Sequence, residues 1–183
     1  LDLPLPALPG AHQIENAGIA LAALRLLGYP EAACEAAMRD VSWPARLRRL
    51  RLGALVEAAP EAELWLDGGH NPHAARAIAA TLKARSGRAT HLICGMLNTK
   101  DVAGYMRAFA GLATQLLAVD VPNQTATLPA EATAEAARTA GLAATTAESV
   151  QAAVATITQA DPTARILICG SLYLAGAVLR ENN

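Results

Sequence analysis

The chain has 183 residues, 53% of them hydrophobic and 17% charged, a balance that fits a folded globular protein and excludes a disordered one. With 15 basic and 16 acidic residues its formal net charge is −1, which removes the bulk electrostatic reason to expect a nucleic acid partner. No apolar run reaches membrane-spanning length and the three cysteines form no CxxC pair, so neither an integral membrane protein nor a zinc site fits, and a reducing cytoplasm is the expected location.

The opening LDLPLPALPG, with Pro4, Pro6 and Pro9, predicts an extended lead-in. It lacks Met and the regions of a signal peptide, and reads as a cut through a longer chain. A helix is expected over about 12–27, with Ile14, Ala17, Leu21 and Leu24 as its apolar stripe and Gly28 as its stop. Pro30 opens a second helix running to about 41. The segment SWPARL, 42–47, breaks the helical period and marks a domain boundary. Leu47, Leu50, Leu52, Leu55 and Val56 then suggest two short strands, a hairpin or an edge.

Beyond that point strands and helices alternate. Strands are expected over 63–67, 90–94, 115–119, 142–146 and 165–169. Helices fall at about 72–85, 102–111, 130–140, 148–160 and 172–180. This order implies βαβ units, so the fold class is α/β: a mostly parallel, Rossmann-like sheet with helices on both faces. Two strands echo each other, HLICGML at 91–97 and ILICGSL at 166–172. Each ends in a glycine turn, which sets 95–100 and 170–173 at the same sheet edge as 67–70.

The central stretch is ELWLDGGHNPHAA, 63–75. A short apolar strand runs into a glycine turn, and Asn71 with Pro72 starts a helix. Asp67 and His70 thus project at the carboxyl end of a strand, where open α/β sheets bind ligands. A carboxylate there can accept ribose hydroxyls, or it can simply brace the turn. Lys100 precedes the helix-capping Asp101 and adds charge to an anion-binding spot, or it is solvated. Ser171 can cap the last helix, bind a carboxylate with the helix amides, or do both. Arg46, Arg48, Arg49 and Arg51 form a basic cluster, with Arg49 and Arg51 expected on one face and Leu50 and Leu52 on the other. Arg46 stands apart because a fork of donors in an inter-domain segment could clamp a phosphate. His12, Gln13 and Asn16 share a first helix turn, and an Asn amide matches the donor and acceptor pair of an adenine edge. Neither GxxxxGK[ST] nor a strand-following GxGxxG occurs.

As a set, GAHQIENA (10–17), WPARL (43–47), DGGHNPHAA (67–75), GMLNTKD (95–101) and CGSLYLAG (169–176) resemble the folylpolyglutamate synthase and dihydrofolate synthase branch of the Mur ligase superfamily. The motifs stand in family order and span nearly the whole chain. The resemblance implies that 1–44 is the helical end of a central ATPase domain and that 45–183 is a Mur ligase-type C-terminal domain. It implies an ATP-dependent acid–amino-acid ligase that adds L-glutamate to dihydropteroate or a folate through an acyl phosphate. ATP would be met by Asn16, Arg46, Asp67 and His70, with His70 the catalytic candidate. Lys100 and Ser171 would hold glutamate. The phosphate loop, the ligands of Mg2+ and the modified lysine would lie upstream, leaving residues 1–183 inactive alone. A monomer is expected. Ala45 departs from the glycine of the usual WPGRL, and the segment from Arg46 to Asp67 is longer than the family pattern. Two other readings stay open: a non-catalytic α/β binding or regulatory module, and a cell-wall Mur ligase domain.

Overall fold

The computed structural model describes residues 2–85 and 87–182; Leu1, Ser86 and Asn183 lie outside the described residues. After the lead-in come two helices, α1 (Ala11–Leu26) and α2 (Glu31–Asp40), then the short strand β1 (Arg48–Arg49) and the short helix α3 (Ala54–Ala58). The alternating part follows: β2 (Glu63–Leu66), α4 (Pro72–Lys83), β3 (Thr90–Cys94), α5 (Val102–Arg107), β4 (Ala113–Ala118), α6 (Ala130–Thr139), β5 (Ala144–Thr146), α7 (Val150–Ala160), β6 (Arg165–Cys169) and α8 (Leu172–Glu181). The sheet order is β1-β2-β6-β3-β4-β5. Among the described residues only β1 runs antiparallel to its neighbour in the sheet. The last strand therefore inserts between β2 and β3, and the two echoing segments are neighbours, paired Cys94 to Cys169.

Side-chain alternation builds two cores. Leu64, Leu66, Ile93, Ile166 and Ile168 face α7, α8 and α3 through Val154, Ile157, Leu174 and Leu55. Trp65, Leu92, Leu116 and Leu167 face α4, α5 and α6 through Ile78, Leu82, Met106 and Ala137. The α/β class with helices on both faces is thus present as expected. Burying both faces explains why strands such as RILIC read as continuous apolar runs rather than alternating ones. The caps are as read from sequence. Asn71 accepts from the Ala74 N–H at 2.9 Å and Asp101 from the Gly104 N–H at 2.8 Å. At the far edge of the sheet the buried Arg165 donates to Glu63 at 3.2 Å and to the Arg85 carbonyl at 2.7 Å, joining β6, β2 and the end of α4.

Two expectations need correction. The segment 47–56 is not a pair of strands: β1 is two residues long, and 54–58 is helical. Gly53, at φ +99°, ends the extended run, and Asn182 fixes the turn by donating to the Leu52 carbonyl and accepting from the Leu55 N–H, both at 2.8 Å. Leu50 is consequently buried while Leu52 is 84% exposed, so they share no face. On α1 the expected stripe is only half-covered. Ala17, Leu21 and Leu24 are half-buried and Ile14 is exposed, while the one buried residue is Gln13. Its nearest helices, α2 and α4, are too few to cover it.

Candidate functional site

The site is the rim where β2, β6 and β3 end. These strands are parallel and adjacent, so their carboxyl ends must meet. The Asp67 N–H donates to the Ile168 carbonyl at 3.0 Å and the Gly95 N–H to the Cys169 carbonyl at 3.2 Å. Asp67, Gly95 and Gly170 therefore lie along one edge, as their sequence positions imply. The turns also touch. A Cβ on Gly68 would collide with the Leu172 side chain, and one on Gly104 would sit 2.7 Å from Pro72 Cγ. Glycine is required here because three turns pack into one small area.

Asp67 is buried, and both oxygens are engaged. Oδ1 accepts from the Gly69 N–H at 2.6 Å and Oδ2 from the Leu47 N–H at 2.7 Å. Leu47 is twenty residues away, so this carboxylate fastens the SWPARL segment to the glycine turn. The Gly68 N–H donates to the Ala45 carbonyl at 2.9 Å and completes the clasp. Ala45 and Leu47 both take positive φ, 55° and 44°, so the position where the family pattern has glycine is a left-handed one. Burial raises the Asp67 pKa above its ordinary value; the Gly69 and Leu47 donors, then Arg46 and His12, oppose that rise. Each oxygen keeps a second lone pair for a ligand.

His70 Nδ1 lies 3.0 Å from the Gly68 carbonyl. A carbonyl only accepts, so Nδ1 donates, and in the neutral ring Nε2 is left as an acceptor. Lys100 is exposed beside the capped start of α5. Ser171 is buried, and its hydroxyl accepts from the Tyr173 N–H at 3.1 Å, capping α8. Its O–H proton remains free to donate outward. Arg46 is exposed, with its charge close enough to act on both Asp67 and His12.

The first turn of α1 reaches the same rim. Asn16 Nδ2 donates to Gln13 Oε1 at 3.1 Å, and Gln13 Nε2 donates to His12 Nε2 at 3.0 Å. Asn16 thus keeps its carbonyl and one N–H for a ligand edge. The His12 pKa is lowered, by burial first; Asp67 opposes this, while His73 and Arg46 add to it. His73, which the sequence reading passed over, lies close enough to His12 to act on its charge and lines a groove with it between α1 and α4.

Two chemistries are disfavoured by these surroundings. Cys94 lies below the rim with its pKa pushed up, by its hydrogen bond with Cys169 and then by burial, so it is no nucleophile. Among the described residues no three of His, Cys, Asp and Glu gather as a metal site, and both Asp67 oxygens already hold backbone donors. These residues do not fit Mg2+.

No helix among the described residues is long and apolar enough to cross a membrane. Comparison with known proteins shows the family and agrees with the fold. The family described as Mur ligase, glutamate ligase domain matches residues 48–172. A folylpolyglutamate synthase of Lacticaseibacillus casei is 32% identical over 136 residues, 74% of this chain and 29% of that protein. The structure of Mycobacterium tuberculosis folylpolyglutamate synthase complexed with ADP superposes with a TM-score of 0.81 at 29% identity, covering 97% of this chain and 41% of that one. E. coli FolC in complex with DHPP and ADP gives 0.78 at 28% identity, with 98% and 41% covered. The chain spans well under half the length of these relatives. With its sheet order, its three-turn rim and a match over residues 48–172, the chain belongs to the Mur ligase glutamate ligase domain family.

Proposed function

We propose that this chain is the C-terminal portion of an ATP-dependent ligase that joins L-glutamate to dihydropteroate, to a folate, or to both, and that it binds glutamate and closes over the nucleotide. The observation that carries this reading is that β2, β6 and β3 are adjacent and parallel, which supports a common site for the turns that bear Asp67 and His70, Lys100, and Ser171. Residues 1–44 would be the end of the ATPase domain and 45–183 the closing domain. The apolar residues exposed on 1–44, among them Ile19, Leu26 and Leu27, support that division, because they offer a face for the rest of an ATPase domain to cover.

In this reading ATP phosphorylates the pterin carboxylate upstream, giving an acyl phosphate and ADP. The glutamate amine attacks the acyl carbon, an amide bond forms, phosphate leaves with the electrons of the broken C–O bond, and the amine loses its proton. Asn16 offers its remaining donor and acceptor to adenine. Asp67 offers its second lone pairs to ribose hydroxyls, and Arg46 its guanidinium to phosphate oxygens. Lys100 and the Ser171 hydroxyl hold glutamate carboxylates, and His70 Nε2 is an acceptor for the amine proton. Closure excludes water from an acyl phosphate that would otherwise hydrolyse.

The test is phosphate release on adding glutamate with dihydropteroate or a folate. The whole protein carrying this chain is expected to show it, and residues 1–183 alone are not. Glutamate-dependent release from residues 1–183 would overturn the division of labour. Turnover of a nucleotide-linked muropeptide in place of a pterin would move the reading to cell-wall chemistry.

A further inference from the structure

We propose that the groove along the β1 edge of the sheet is a second anion site, separate from the rim, for a linear polyanion bearing several carboxylate or phosphate groups. The groove is a cavity of about 720 Å³ lined by Arg46, Arg48, Arg49, Arg51, Arg85 and Trp65 among others, a size that suits a small molecule. No Asp or Glu lines it. Five of the chain's 15 basic residues thus face one concavity in a molecule of net charge −1.

Their mutual repulsion is barely relieved within the protein. Arg49 has Glu63 at 3.7 Å, but that carboxylate is shared with Arg165 at 3.2 Å and Arg88 at 3.7 Å. Among the described residues, no ion pair holds Arg46, Arg48, Arg51 or Arg85. Such a concentration of one sign in a concave wall draws a counter-ion. Arg85 is also oriented, with its guanidinium 4.9 Å from the centre of the Trp65 ring. Stacking occupies the face and leaves the N–H edge to donate.

The layout selects the shape of the ligand. The backbone from Arg48 to Leu50 runs extended against Leu66 to Leu64, which spaces Arg48 and Arg51 about 10 Å apart along the groove, and Arg85 stacks on Trp65, the cross-strand partner of Arg49. One phosphate cannot meet them all, whereas a chain of charges can. Asp67, His70, Lys100 and Ser171 do not line this groove; Arg46 alone is common to both. The inference therefore does not depend on the ligase reading.

The experiment is calorimetric titration of the whole protein, with excess ADP present, using two probes: γ-linked pentaglutamate and inorganic tripolyphosphate. Each is titrated into the wild type, the Arg48→Gln/Arg51→Gln variant and the charge-conserving Arg48→Lys/Arg51→Lys variant. Binding of at least one probe is expected, weakened about tenfold or more by the Gln pair, with the Lys pair in between; which probe binds separates a carboxylate chain from a phosphate chain. Binding of neither probe overturns the proposal, as does binding that the Gln pair leaves unchanged. If the Gln pair does not fold, the Lys pair decides: a bidentate site loses affinity on that change, and unchanged affinity overturns the proposal.

Discussion

Ala45 shows how much a single residue can carry without changing the fold. A non-glycine residue in the left-handed region costs roughly 1–2 kcal/mol, which Ala45→Gly would relieve. The same change exposes the buried clasp to loss of a methyl group, about 0.8 kcal/mol, and adds freedom to the unfolded chain, about 0.4–1 kcal/mol. These nearly cancel, so Ala45→Gly is expected to shift unfolding free energy by less than about 1 kcal/mol, read from urea denaturation; a gain above about 2 kcal/mol would contradict the balance. His91 is a sharper case. It is buried on β3 with no hydrogen-bond partner on either ring nitrogen among the described residues, and Asp161 Oδ2 lies 3.6 Å away, beyond bonding reach. Burial lowers its pKa despite that carboxylate. Above pH 6.5 the ring is neutral folded or unfolded; below it the unfolded chain takes up the proton first, so stability falls as pH drops through that value. Between about pH 7.5 and pH 6, near the histidine range, the wild type should lose stability and His91→Gln should lose less. His12 acts in the same sense, so the flattening is partial. Equal pH dependence in both proteins would show that His91 is not buried uncharged.

At the scale of elements, the sequence disclosed those whose signals are local. Asn71 and Asp101 cap helices through their own side chains, and the apolar strands 90–94 and 165–169 occupy the expected residues. What was illegible depended on distant partners. The turn at Gly53 is fixed by Asn182, and the exposure of Leu52 follows from that turn rather than from alternation. The same applies at the rim: the Asp67 motif was visible, but its bond to the Leu47 N–H spans twenty residues and leaves no local trace. The turn after β6 offers a test of this close packing. Gly170 has φ +100°, and a Cβ there would lie 2.7 Å from both Cys94 Sγ and the Gly95 carbonyl oxygen. A backbone oxygen beside a strand end, whose own N–H is bonded to the Cys169 carbonyl, cannot give way cheaply. Gly170→Ala should destabilise by roughly 2 kcal/mol or more, measured by denaturant unfolding; a loss under about 0.5 kcal/mol would show that the rim is looser than its geometry.

Taken whole, the molecule is a sheet whose single inserted strand, β6, brings three turns together, with a helical pair docked beside them through α1 and α4. Amide ligation at the rim needs two kinds of binding there. In the proposed function, nucleotide contacts would fall on the β2 side, at Asp67 and Arg46, and amino-acid contacts on the β3 and β6 side, at Lys100 and Ser171. Removing one kind should leave the other. The direct measurement is steady-state phosphate release by the whole protein with dihydropteroate or a folate, comparing wild type, Lys100→Ala and Asp67→Asn. For Lys100→Ala the KM for glutamate should rise about tenfold, equivalent to about 1.4 kcal/mol, with the KM for ATP nearly fixed; for Asp67→Asn the larger rise should be in the KM for ATP. No glutamate-dependent release from the wild type, or a Lys100→Ala variant whose ATP constant moves while its glutamate constant does not, would contradict the account.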